Sequence, residues 1–242
     1  ALVAAGIFPM FAMSAQAQPT STTTSTTTPA TPIVVSTSVF QREQLAVEHE
    51  IIARQVQLAL LGTSLANSAN VTASDRSALT TIITNEQSAL ATDATNAAAA
   101  TTQAQLQAVR EAMIADERVY VVVTAQVNLV IQADNETVAE AGYTGLVSEL
   151  TPLVNELNNT VATSLLADIT SQVTASASLT SGVSADALAL TPSGYPGNQS
   201  QIKTWTYQLG QAHQDLSIAN NDVKRIEAIA LGVYRLPVLR RL

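Results

Sequence analysis

The sequence predicts an all-α molecule, an elongated antiparallel bundle of about four long helices with coiled-coil-like packing, and three observations carry that expectation. Toward the C-terminus, Ile202, Trp205, Leu209, Ala212, Leu216, Ala219, Val223, Ile226, Ala230 and Val233 follow one another at alternating steps of three and four, the spacing of a helix–helix seam. Neither Pro nor Gly interrupts residues 75–141, a span open to one long helix or two stacked ones. The apolar content, 47% of 242 residues, comes chiefly from Ala, Leu, Val and Ile, with aromatics at only 4%. That composition suits slim seams between closely spaced helices better than a thick globular centre.

In chain order, residues 1–17 read as the remainder of a signal peptide. An apolar run through Ile7 and Phe8 is broken by Pro9, and Ala15-Gln16-Ala17 offers small residues where a signal peptidase accepts them. The run is shorter than the roughly 20 residues that span a bilayer, so no membrane span is expected in the mature chain. Residues 18–36 form a Thr/Ser/Pro tract with Thr22-Thr23-Thr24 and Thr26-Thr27-Thr28, a composition with little apolar surface to offset chain entropy, read as a disordered linker. A helical bundle domain is expected over 37–235, followed by a short basic tail at 236–242.

Within that domain, Phe40, Val47, Ile51, Leu58, Leu61 and Leu65 set one apolar stripe, which Gln44 and Arg54 interrupt. Asn67, Asn70 and Ser74-Asp75 mark a break, with Ser74 the expected N-cap of the next helix. Leu79, Ile82, Ile83 and Leu90 lead into Ala97-Ala98-Ala99-Ala100, and Thr101-Thr102 is the place for a bend. Leu106, Val109, Met113, Tyr120, Val127 and Ile131 continue the helical stripe. The strand-like run Val119-Tyr120-Val121-Val122-Val123 is read as helix because its flanks are helical. Gly142 and Gly145 suggest a turn and Thr151-Pro152 a helix start, ahead of a stripe from Leu146 to Val173. Leu190 to Asn198, rich in Pro and Gly, is the clearest loop.

Charge and residue usage exclude several functions. The net charge of −8 and pI near 4.6 oppose binding to phosphate backbones, so nucleic acid is not an expected partner. With no cysteine, the chain has no disulfide, thiolate nucleophile or Cys-ligated metal. His49-Glu50-Ile51-Ile52-Ala53 has the opening of a zincin helix, but Ala53 stands where the second imidazole is required. His213 falls off the seam of the last helix and reads as a surface residue. Asp116 and Glu117, as helix neighbours, diverge by about 100° and do not form a facing acid pair. Thr81 and Thr84 recur as Thr92 and Thr95, a spacing compatible with ice binding, although the repeat stops there. Four Asn-X-Ser/Thr sites begin at Asn70, Asn135, Asn158 and Asn198. Arg235, Arg240 and Arg241 make the C-terminal end basic. There is no nucleophile elbow, phosphate-cradling loop or dinucleotide fingerprint.

Arg118-Val119-Tyr120-Val121, continuing through Gln126-Val127-Asn128-Leu129-Val130-Ile131-Gln132-Ala133-Asp134, and Leu190 to Asn198 leading into the last helix together resemble uncharacterised secreted α-helical proteins of actinobacterial type. The resemblance implies an exported helical bundle and brings no known activity with it. In that pattern a Pro often precedes the Gln and a His often follows its Val, where this chain has Ala125 and Asn128.

The expected function is that of a non-enzymatic, secreted or cell-envelope structural and interaction protein. Its partners are expected to be protein, envelope glycan or copies of itself, with no cofactor. Two other readings remain open: a carrier of a small apolar ligand held between helices near Trp205, Tyr120 or Tyr195, and an envelope-polymer hydrolase whose site the sequence does not display.

Overall fold

The structure, a computed structural model, describes residues 38–239, with the side chains of 114–119 and 233–239 excepted. The signal-like segment 1–17, the tract 18–36, the side chains of Asp116, Glu117, Val233 and Arg235, and residues Arg240 and Arg241 lie outside what is described. All regular structure among those described is helical: α1 (Val39–Asn67), α2 (Ala73–Ala99), α3 (Gln103–Leu157), α4 (Thr160–Thr180), α5 (Val183–Leu188) and α6 (Gln199–Leu239), with one 3-10 turn at Pro192–Gly194.

Local chemistry sets most helix starts. Ser38 and Gln41 form a reciprocal capping box at α1, and Thr102 and Gln105 form another at α3. The cap of α2 is Thr72, whose hydroxyl accepts the Asp75 N–H, and not Ser74 as the sequence suggested. Thr101-Thr102 marks a full break and not a bend, since Ala100 and Thr102 are both extended. At α1's other end, the Arg76 guanidinium donates to the Leu65 and Ser68 carbonyls, closing the last turn with a cation.

The expected turn at Gly142–Gly145 and helix start at Pro152 are not found. α3 runs through all three for 55 residues, about 82 Å at 1.5 Å per residue. Tyr143, Leu146, Leu150 and Val154 pack inward along this stretch, and that burial outweighs the helix cost of two glycines. Pro152 is on the exposed face, where the carbonyl it leaves unpaired can meet water. The break comes instead at Asn158-Asn159. Asn158 takes the left-handed conformation (φ 45°), which Asn tolerates better than most residues. Asn159 then caps α4 by accepting the Val161 and Ala162 N–H groups.

Two helix trios share α3, where the sequence had suggested one bundle of about four helices. α1 and α2 pack on its first part, α4 and α6 on its second. Gln44 reaches Ala97, Gln103 reaches Glu43, and Asn70 reaches Asn135, so α1 runs alongside α3 while α2 returns between its ends. Ser176 and Thr180 reach Glu140 and His213 meets Glu136, so α4 runs back along α3 and α6 forward again. The two trios correspond to two cores. Val47, Ile51, Leu58, Leu79, Leu106, Met113 and Val127 belong to the first, and Leu150, Val154, Leu165, Ile169, Leu216 and Ile226 to the second.

The long seam of α6 is placed as its spacing predicts. Trp205, Leu209, Ala212, Leu216, Ala219, Val223, Ile226 and Ala230 are all buried, with Ile202 half-buried. Its first residues close the first core beside Val183 and Ala187 of α5, and the rest line the second. α6 continues through Pro237 to Leu239, past the expected end at 235.

Candidate functional site

Polar groups concentrate where the two trios meet. Asp134, Glu136 and Glu140 are all buried on α3, with Gln126 two turns before the first of them. At about 100° per residue, Asp134 points roughly opposite to Glu136 and Glu140, so no rotation of the helix could turn all three to water. The fold gives each carboxylate its own donor set. Asp134 accepts the Thr72 N–H at 3.0 Å and the Ser184 hydroxyl at 2.8 Å, joining the α1–α2 connection to the start of α5. Glu140 accepts the Ser176 hydroxyl at 2.7 Å and the Thr180 hydroxyl at 3.0 Å, fixing the end of α4. Glu136 lies 3.0 Å from Nδ1 of His213 on α6.

Gln126 completes the junction. Its amide Nε2 donates toward the carbonyls of Ala187, Leu188 and Leu190 at 3.1–3.3 Å, so one side chain collects the carbonyls released where α5 ends. These contacts bring together residues 118–134 and 190–198, the two stretches that carry the resemblance noted in the sequence.

Electrostatically, Glu136 is the unusual member. Burial pushes its carboxyl above the ordinary value of 4.5, the attraction and hydrogen bond of His213 pull it back, and repulsion from Glu140 one turn away raises it again. The His213 side chain itself is 73% exposed, so the pair can exchange a proton directly with solvent. The arrangement can therefore act as a proton-responsive link between α3 and α6. Among the described residues, no group of three or more His, Asp or Glu is placed to hold a metal ion.

The sequence pointed elsewhere for binding residues. Trp205 is packed into the first core and Tyr120 lies against that same core, while Tyr195 is half-buried in the loop after the 3-10 turn. Tyr120, with Arg54, Leu58, Glu86 and Leu90, lines a void of about 10 Å³, at the lower limit of space for one water and far below a ligand pocket. His49 is exposed on α1. Thr81, Thr84, Thr92 and Thr95 are exposed, and each hydroxyl donates to the carbonyl four residues earlier, at 2.8–3.1 Å. Of the four Asn-X-Ser/Thr sites, Asn70 and Asn135 are bonded to each other, Asn158 ends α3, and the Asn198 amide donates to the Thr191 carbonyl.

Asp134, Glu136, Glu140 and Gln126 were not read as site residues from the sequence; His213, read as a surface residue, is exposed, and what the sequence did not show is its bond to Glu136. The available signal was angular: three carboxylates within seven residues of an uninterrupted helix, on opposing faces. No protein-family model, curated protein or solved structure matches this chain. No described helix is long and apolar enough to cross a membrane.

Proposed function

We propose that the chain is a non-enzymatic structural and interaction protein of the cell envelope or extracellular space, an elongated antiparallel helical assembly with coiled-coil-like seams. It would hold its two ends a fixed distance apart and present its outer helix faces to protein or envelope glycan. The observation that carries this reading is α3, one unbroken 55-residue helix serving as the shared member of both helix trios. A helix packed at both ends resists bending where a flexible linker would let two bundles tumble separately. The buried carboxylates and Gln126 at the junction fit the same role, because each ties a different neighbouring segment to α3. Export rests on the signal-like residues 1–17 and the tract at 18–36.

Small-angle scattering of the purified chain, with fractionation of the cells that make it, tests both halves of the proposal. The expected outcome is a particle at least about 80 Å long, recovered outside the cytoplasm. A compact, near-spherical particle would defeat the spacer reading, and a cytosolic pool would defeat the envelope assignment.

A further inference from the structure

The outward face of α1 carries an apolar stripe that no other described element covers. Leu45, Ile52, Val56 and Leu60 are 49%, 55%, 54% and 62% exposed, and with His49 in the gap they run at steps of four, three, four and four. That is helical-seam spacing on a helix whose opposite face already holds Val47, Ile51, Leu58 and Leu65 against the first core. A helix with two apolar faces in a three-helix group has room for one more helix.

We infer that this face binds the same face of a second copy, with the two α1 helices antiparallel and crossing near Ile52 and Ala53. The inference rests on the reading of the molecule as a helical interaction protein and names one of its partners. Self-complementarity is the first argument. About a dyad between Ile52 and Ala53, Leu45 falls opposite Leu60, His49 opposite Val56, and Ile52 beside its own counterpart. Relief is the second. On the side of the stripe that faces α2, an open groove of about 330 Å³ is lined on α1 by Ala59, Gly62, Leu65 and Ala66, so the second copy meets a hollow rather than a ridge along that flank.

Charge fixes the direction. Glu43, Glu48 and Glu50 all lie in the first half of α1, and no charged residue occurs from Gln55 to Ser74. Glu48, which borders the stripe, falls against Gln57 in the antiparallel arrangement, whereas Glu43 is held by Gln103 of α3 and Glu50 by Arg54. A parallel pair would set Glu48 beside its own copy, which opposes association. The extent of the face sets the strength. The stripe from Leu45 to Leu60, sixteen residues and about 24 Å of α1, carries four half-exposed aliphatic residues and gives roughly 800 Å² for the pair, at the small, transient end of protein interfaces. A reversible dimer with Kd on the order of tens of micromolar is expected.

The absence of cysteine allows a direct test on the full chain, by sedimentation from about 1 to 300 µM and by oxidative cross-linking of introduced cysteines. The wild type should pass from monomer to dimer over that range. Ile52→Glu should weaken association at least about 30-fold while leaving helical circular dichroism and Tm unchanged, because Ile52 faces solvent in the monomer. Ile52→Cys should cross-link to itself. Leu45→Cys should cross-link only when mixed with Leu60→Cys, and Tyr207→Cys, exposed on α6, should not cross-link. A monomer throughout overturns the inference, including the case in which residues 1–37 of the same chain cover the stripe. So does a dimer indifferent to Ile52→Glu, or one in which Leu45→Cys pairs with itself. Scattering of the Ile52→Glu variant at low micromolar concentration reads the length of the single chain whatever the outcome here, so the spacer reading stands or falls separately.

Discussion

Arg54 and Gln44 interrupt the apolar stripe of α1, and both interruptions are hydrogen-bonded links between helices. Arg54 is buried and donates to the Met113 carbonyl at 2.6 Å and to Glu50 at 2.7 Å, while Gln44 donates to the Ala97 carbonyl at 2.8 Å, in the last turn of α2. Arg54→Ala removes these bonds and opens a void beside Leu58, so urea unfolding should show a loss of about 2–4 kcal/mol. Glu136 makes a different prediction. Its carboxyl titrates above 4.5 in the fold, so just above that pH the folded chain still binds a proton that the unfolded chain has released. Stability from this group is complete below 4.5 and is lost as pH rises through the folded value. The stability of the wild type minus that of Glu136→Gln should therefore decline as pH increases from 4.5. A flat difference would show that Glu136 is not perturbed. Periodicity exposes apolar faces, but the partner of a polar residue within such a face lies on another helix, far away in sequence. Arg54 and Gln44 were thus visible as exceptions while Met113 and Ala97 were not visible as the reason.

At the scale of elements, seams were legible and ends were less so. The α6 seam was readable because every third or fourth residue met the same two cores, which keeps the pattern strict. Gly142, Gly145 and Pro152 misled because local propensity is a small term beside burial along α3. A β-carbon added at Gly142 or Gly145 meets nothing within 4 Å, and both residues are exposed inside a helix. Gly142→Ala and Gly145→Ala should each raise stability by about 0.5–1 kcal/mol, visible as an increase in Tm; a decrease would mean the glycines serve a bend that α3 does not display. The break at Asn158-Asn159 was hidden because Asn supports a left-handed residue and a cap without the conspicuous signature of Gly or Pro. The junction site was largely illegible for a similar reason: Asp134, Glu136 and Glu140 look like solvated helix residues until α4, α5 and α6 close around them.

For the whole molecule, α3 makes the two trios one cooperative unit, and unfolding is expected to be a single transition by circular dichroism. Thr137→Pro would interrupt the helix at the junction, where the Thr137 hydroxyl now donates to the Ala133 carbonyl. It should cost about 3 kcal/mol or more and split melting into two steps. A single sharp melt in that variant would locate the coupling in α5 and the start of α6 instead. The unbroken course of α3 also acts as a protractor. Each residue advances a helix by about 100° and 1.5 Å, so the azimuth between the outward stripe of α1 and any face of α4 is set by nothing more than a residue count. One inserted amino acid near position 137 would swivel one half about the long axis by more than a quarter turn and scarcely lengthen the whole, leaving each half's binding faces intact but aimed at different neighbours.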